Sequence, residues 1–222
     1  MGKLMVIDGL DGCGKSTQLE LLDAALKARG VEYKQISFPD YSQPSSALVK
    51  MYLGGELGGS ASAVNAYAAS SFYAVDRYAS YTRFWAKDYQ SATPIVAARY
   101  VTSNAIHQMT KLDRSEWDAY LDWLSDYEYD KLGLPRPNCV VFLDMPIEVS
   151  QKLLEKRYHG DATQKDIHER DIHYLLSCRE AALFAADKQG WHVVPCSDGE
   201  DPLPMDSIHQ QIMTLYEGMN GE

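Results

Sequence analysis

Residues 7–18 read IDGLDGCGKSTQ, and in them Gly9, Gly14, Lys15 and Ser16 fit G-x-x-x-x-G-K-[ST]. The turn follows a strand pattern, KLMVID (3–8), and opens a helical pattern from about Ser16 to Arg29 that closes at Gly30. A strand that feeds a glycine-rich turn and then a helix limits the architecture sharply. Glycines let the backbone bring amide N–H groups against phosphate oxygens. The helix start adds free N–H groups and the positive end of a dipole. Lys15 can reach β- and γ-phosphates, and the Ser16 hydroxyl can ligate Mg²⁺. The predicted ligand is ATP or a similar triphosphate with Mg²⁺, held by Gly9, Leu10, Asp11, Gly12, Cys13, Gly14, Lys15, Ser16 and Thr17.

Further short apolar runs follow at 33–38 (YKQISF), 94–98 (PIVAA), 139–144 (CVVFLD) and 191–196 (WHVVPC). Helical patterns separate them, at about 61–87, 102–112, 147–157 and 168–189 and after Pro204, with another from Ser115 as N-cap to Gly133. Alternation of this kind predicts a three-layer α/β domain with a five-stranded, mainly parallel sheet and helices on both faces. The 222 residues are expected to form one domain. The net charge of −10 argues against a protein that binds nucleic acid by neutralising phosphates. The start of the chain has no apolar run long enough for a signal peptide or membrane span, and the four cysteines lie too far apart for a zinc spacing. A cytoplasmic protein with reduced thiols and no membrane contact is expected.

Three other stretches bear on what receives a phosphoryl group. Tyr73 and Arg77 are four apart on one helix and share a face, which suits stacking on a heterocyclic base and donation to its carbonyl. Arg99 follows the third strand, where ligands gather in such sheets. Beyond it Asn104 and Gln108 share one helical face, and Ser103 and His107 the next. Lys156, Arg157, Lys165 and Arg170 bracket a polar, Gly-containing loop, a dense basic segment in an acidic chain. Each feature alone also suits core or solvated surface. His168 and His173, five apart, share no helical face and are read as ordinary polar positions rather than metal ligands.

Taken in order, GLDGCGKSTQ, FPDYSQPSSALV, FYAVDR, ARYVTSNAIHQ and LGLPRPNCVVFLD resemble the thymidylate kinases over nearly the whole chain. The resemblance implies a single P-loop kinase domain over 1–222 with a short basic lid at about 156–170. It implies Mg²⁺-dependent transfer of the ATP γ-phosphoryl to dTMP, giving dTDP. Tyr73 would stack on thymine, Arg77 would bond a base carbonyl, and Asn104 would read the Watson–Crick edge. Ser103, His107 and Gln108 would complete the dTMP site. Arg99 would clamp the acceptor phosphate, and Asp11 would contact the sugar 3′-hydroxyl or the metal. Arg157, with Lys156 and Lys165, would neutralise charge as the phosphoryl moves. A homodimer through the long apolar helix is also implied.

The sequence departs from the family pattern at three places. Ala98 stands where the family has Asp, Asp40 where it often has Arg, and His107 where it often has an aromatic ring. Asp11 is one compensating acid and Asp144 another. A related monophosphate kinase with a different acceptor, or a nucleotide-binding member with little turnover, remains the alternative.

Overall fold

The computed structural model describes residues 1–58, 63–157 and 172–221, without the side chains of Lys156 and Arg157. Five strands, β1 (Leu4–Gly9), β2 (Lys34–Ser37), β3 (Ile95–Ala98), β4 (Cys139–Asp144) and β5 (His192–Pro195), form one parallel sheet in the order β2-β3-β1-β4-β5. Lys34 aligns with Ile95 and Ser37 with Ala98, while Val141 aligns with His192 and Asp144 with Pro195. The near-continuous apolar runs occupy the middle of the sheet: β1 and β3 are buried throughout, and β4 at every position but Asp144. The edge strand β2 alternates between half-buried and exposed residues, and β5 buries Val194 alone, as strands with one covered flank do.

Around the sheet lie α1 (Lys15–Ala28), α2 (Ala47–Leu53), α3 (Ala66–Ser80), α4 (Ala86–Gln90), α5 (Val101–His107), α6 (Trp117–Ser125), α7 (Ile147–Arg157), α8 (Ile172–Gln189) and α9 (Met205–Asn220). The helix expected over 61–87 is thus α3 and α4, joined through a π-helical turn at Tyr81–Trp85. A second π turn, Asp126–Lys131, continues α6. Ser115 is not the N-cap predicted there. Asp113 caps that start in a reciprocal box with Glu116, because only the pair at that spacing can satisfy both orphan backbone donors.

The chain divides into two compact units, one of Met1–Val6 with Tyr33–Asn138, the other of Ile7–Glu32 with Cys139–Glu222. The first packs around Ala69, Ala74, Trp85, Tyr100, Ile106 and Tyr120, all at most 1% exposed. The second packs α1 residues Leu22 and Leu26 with Val141, Phe142, Ala182 and Ile212 in its core. Among the described residues no helix is long and apolar enough to cross a membrane, and no disulfide forms.

Candidate active site

In the second unit, β1 delivers the chain into the glycine-rich turn. A Cβ on Gly9 would lie 2.7 Å from Cys13 Sγ and 3.0 Å from the Leu143 carbonyl oxygen, so backbone and neighbours leave no room for a side chain. Gly14, the N-cap of α1, needs glycine for a different reason. Its φ of 87° is left-handed, although a Cβ there would meet nothing within 4 Å. No side chain caps α1, so the helix presents its first amides and its dipole to an anion. Lys15 curls back across the turn, donating from Nζ to the Gly9 carbonyl at 3.0 Å, and Ser16 is exposed at the helix start.

Among the described residues no cluster of three or more His, Cys, Asp or Glu side chains could hold a metal. Asp144, one of the two candidate acids, accepts from Arg179 Nε and an Arg179 terminal nitrogen at 2.7 and 2.8 Å, which ties up both its oxygens. The Ser16 hydroxyl, with half-buried Asp11 nearby in sequence, is an oxygen donor set that fits Mg²⁺, which takes few protein ligands and shares substrate phosphates. The lid residues Lys165 and Arg170, and the side chains of Lys156 and Arg157, lie outside the described residues.

The first unit contains the remaining candidates. Arg99 follows β3 with φ of 62°, left-handed backbone that a side-chain-bearing residue adopts at a cost. One of its terminal nitrogens stands 3.1 Å from His107 Nε2. A guanidinium only donates, so Nε2 accepts and the His107 proton sits on Nδ1. Ala98, the last residue of β3, is buried, and no acid stands on that strand. Asp40 forms a turn, donating its N–H to Asp76 and accepting from the Ser42 hydroxyl at 2.6 Å.

Arg77 is 1% exposed and lies in an ion pair that spacing could not foretell. Its Nε and one terminal nitrogen donate to the two oxygens of Glu128 at 2.7 and 2.6 Å, and its other terminal nitrogen to the Tyr100 carbonyl at 3.2 Å. Burial opposes the guanidinium charge, but the Glu128 carboxylate outweighs that and raises the Arg77 pKa. One N–H on each terminal nitrogen remains. Asn104 Nδ2 donates to the same Glu128 at 3.0 Å and to the Ser70 carbonyl at 3.1 Å. Tyr73 is half-buried one helical turn from Arg77, edge-on to Tyr52, and burial keeps its phenol neutral. Ser103 is half-buried, and Gln108 is buried with no donor to its Oε1 among the described residues.

Sequence reasoning missed two acids. Glu128 lies on a π turn and Asp76 beside Arg77; Asp76 fastens the segment after Pro39 through Asp40 and Ser45. The adjacent Asp–Arg pair was visible, but its partners were not.

A sequence model of the family described as thymidylate kinase matches residues 7–212. Among relatives, the thymidylate kinase of Mycobacterium tuberculosis is 31% identical over 191 residues, 85% of this chain and 87% of that one. The human thymidylate kinase is 27% identical over 219 residues, 97% of this chain and 90% of that one. The solved thymidylate kinase of Candida albicans superposes with a TM-score of 0.71 at 21% identity, covering 98% of this chain and 92% of that chain. With the family model spanning all but the two ends, the chain belongs to the thymidylate kinase family.

Proposed function

We propose that the chain is an ATP-dependent kinase that transfers the γ-phosphoryl of ATP to the 5′-phosphate of dTMP, giving dTDP and ADP. The observation that carries this reading is a phosphate-binding turn, uncapped and glycine-locked, in the same chain as a base-reading group of Tyr73, Arg77 and Asn104. The turn amides and Lys15 hold the donor phosphates, and Ser16, with Asp11, would hold Mg²⁺, which would supply positive charge to offset that of the phosphates. Tyr73 offers an aromatic face for stacking on thymine, Arg77 its outer N–H groups to a base carbonyl, and Asn104 its amide to the ring edge. Arg99, steadied by His107, supplies the charge that clamps the acceptor phosphate. Asp11 orients the sugar 3′-hydroxyl, Ser103, His107 and Gln108 complete the dTMP site, and Arg157 with Lys156 and Lys165 acts from the lid. Phosphoryl transfer asks the protein for positioning and charge compensation more than for covalent work, and these residues supply both.

The chain works as one kinase domain in a reducing, cytoplasmic compartment, a setting that suits four buried thiols. It pairs with a second copy through α3, where Tyr67, Val75 and Tyr78 form an exposed apolar stripe continued by Phe84. A second reading, weaker discrimination against a ribose 2′-hydroxyl, is favoured by His107, whose five-membered ring is smaller than a phenyl or phenol ring and stands beside Arg99. An ADP-release assay with ATP, Mg²⁺ and dTMP, dUMP, dCMP, dGMP or thymidine tests the proposal. Turnover with dTMP above that without acceptor is expected. Release no faster than acceptor-free ATP hydrolysis, or a preference for thymidine over dTMP, removes it.

A further inference from the structure

We infer that Glu128 is a specificity-determining positioning residue. It fixes the side-chain amide of Asn104 so that the site accepts a base with a ring N–H beside a carbonyl and refuses one with a ring lone pair beside an amino group. The inference rests on the reading that Asn104 and Arg77 face the acceptor base.

Donors and acceptors decide which way the Asn104 amide points. Asn104 Nδ2 lies 3.1 Å from the Ser70 carbonyl and 3.0 Å from Glu128 Oε1. A backbone carbonyl can only accept. So can Glu128, whose two oxygens already take N–H groups from Arg77 at 2.7 and 2.6 Å. The amide nitrogen must therefore be the atom that points at both, and the orientation of Asn104 is settled by chemistry rather than by choice. Both of its N–H groups are then used. What remains is Oδ1, which has no donor among the described residues and can only accept.

Arg77 is constrained in the complementary sense. Its two remaining N–H groups can only donate. The pair thus presents one acceptor and one donor edge, both set by the same carboxylate, which is fully buried on the π turn after α6. Thymine and uracil offer N3–H and the C4 carbonyl, which match this pattern. Cytosine offers a lone pair at N3 and an amino group at C4, which set oxygen against lone pair and N–H against guanidinium. A site whose polar groups are left mismatched discriminates far more strongly than one that loses a methyl contact.

Glutamine at 128 keeps the shape but gains a donor. Its amide N–H can be given to Asn104 Oδ1, which makes the flipped amide competitive and turns an N–H outward. The test compares dUMP with dCMP, which differ only at this edge, in the wild type and Glu128→Gln. The expected result is a strong dUMP preference in the wild type that falls by about tenfold or more in kcat/KM ratio in the variant. A fold-only role for Glu128 would lower both substrates and leave the ratio in place, and that result overturns the inference. So does a wild type that does not prefer dUMP over dCMP while still using dTMP. Use of neither dTMP nor dUMP would instead strike the underlying reading. Should Glu128→Gln not fold, the wild type still decides. Its Asn104 side-chain NH₂ protons are expected to exchange slowly with solvent and to stay put when dUMP binds, whereas fast exchange or a large shift on binding contradicts the fixed amide.

Discussion

Truncating Glu128 is the perturbation whose cost the structure fixes most tightly. The side chains of Arg77 and Glu128 are 2% and 0% exposed, and the pair is bidentate. Glu128→Ala leaves the guanidinium buried with the Tyr100 carbonyl, at 3.2 Å, as its remaining acceptor among the described residues, and takes from Asn104 one of its two acceptors. Breaking a buried ion pair by removing one partner costs about 3–5 kcal/mol, against a total stability of roughly 5–15 kcal/mol. With a urea dependence of about 2–3 kcal/mol/M, the unfolding midpoint should fall by about 1–2.5 M. Tryptophan fluorescence is a suitable probe, because Trp85, Trp117 and Trp123 report on the unit that holds the pair. The double variant Arg77→Met with Glu128→Leu removes both charges and should recover most of the loss, since an apolar pair of similar volume is often neutral or better. A single variant that shifts the midpoint by less than about 0.5 M, or a double variant as unstable as the single, would refute the reasoning.

The thiols offer a second prediction. Burial pushes Cys139 up to about 11, and burial with Cys13 nearby pushes Cys196 up to about 12, while Cys13 itself is 2% exposed. Folded protein should react slowly with a thiol reagent near neutrality and show all four thiols in urea, with ATP and Mg²⁺ slowing Cys13 further. A fast thiol in the turn that ATP does not protect would count against this. Burial also lowers the Lys111 amine from its usual value to about 8, with Nζ donating to the Tyr52 hydroxyl at 2.7 Å. The folded chain then binds fewer protons than the unfolded one between about 8 and the ordinary lysine value, so stability should rise with pH across that window relative to Lys111→Met. A constant difference in melting temperature would contradict the burial. Light scattering should give the mass of two chains, and Tyr78→Asp should reduce it to one; an unchanged mass in the variant would place any pairing elsewhere.

Much of the architecture was legible because it rests on local rules. The glycine-rich turn and the central strands need only backbone geometry and continuous burial, and their predicted bounds differ from the structure by a residue or so. What was not legible depends on partners far away in sequence. The predicted single long helices hide two π turns, since a helical hydrophobic period does not record where one residue is inserted. One of those turns carries Glu128 inward, where it meets Arg77 and Asn104 from α3 and α5. Tyr73, Arg77 and Asn104 could be nominated from spacing and resemblance, but the direction in which Asn104 points could not, because it is set by Ser70 and Glu128. The Ser115 cap failed for a local reason: Asp113 three residues before Glu116 is the better box.

The central claim is tested most directly by following the labelled γ-phosphate of ATP. Purified chain with Mg²⁺ and dTMP should carry the label into dTDP, and Lys15→Ala should abolish that transfer while its circular dichroism and melting stay close to wild type, because backbone and not this side chain shapes the turn. Label that appears only as inorganic phosphate, or that still reaches dTDP at near-normal rate in Lys15→Ala, would contradict the account.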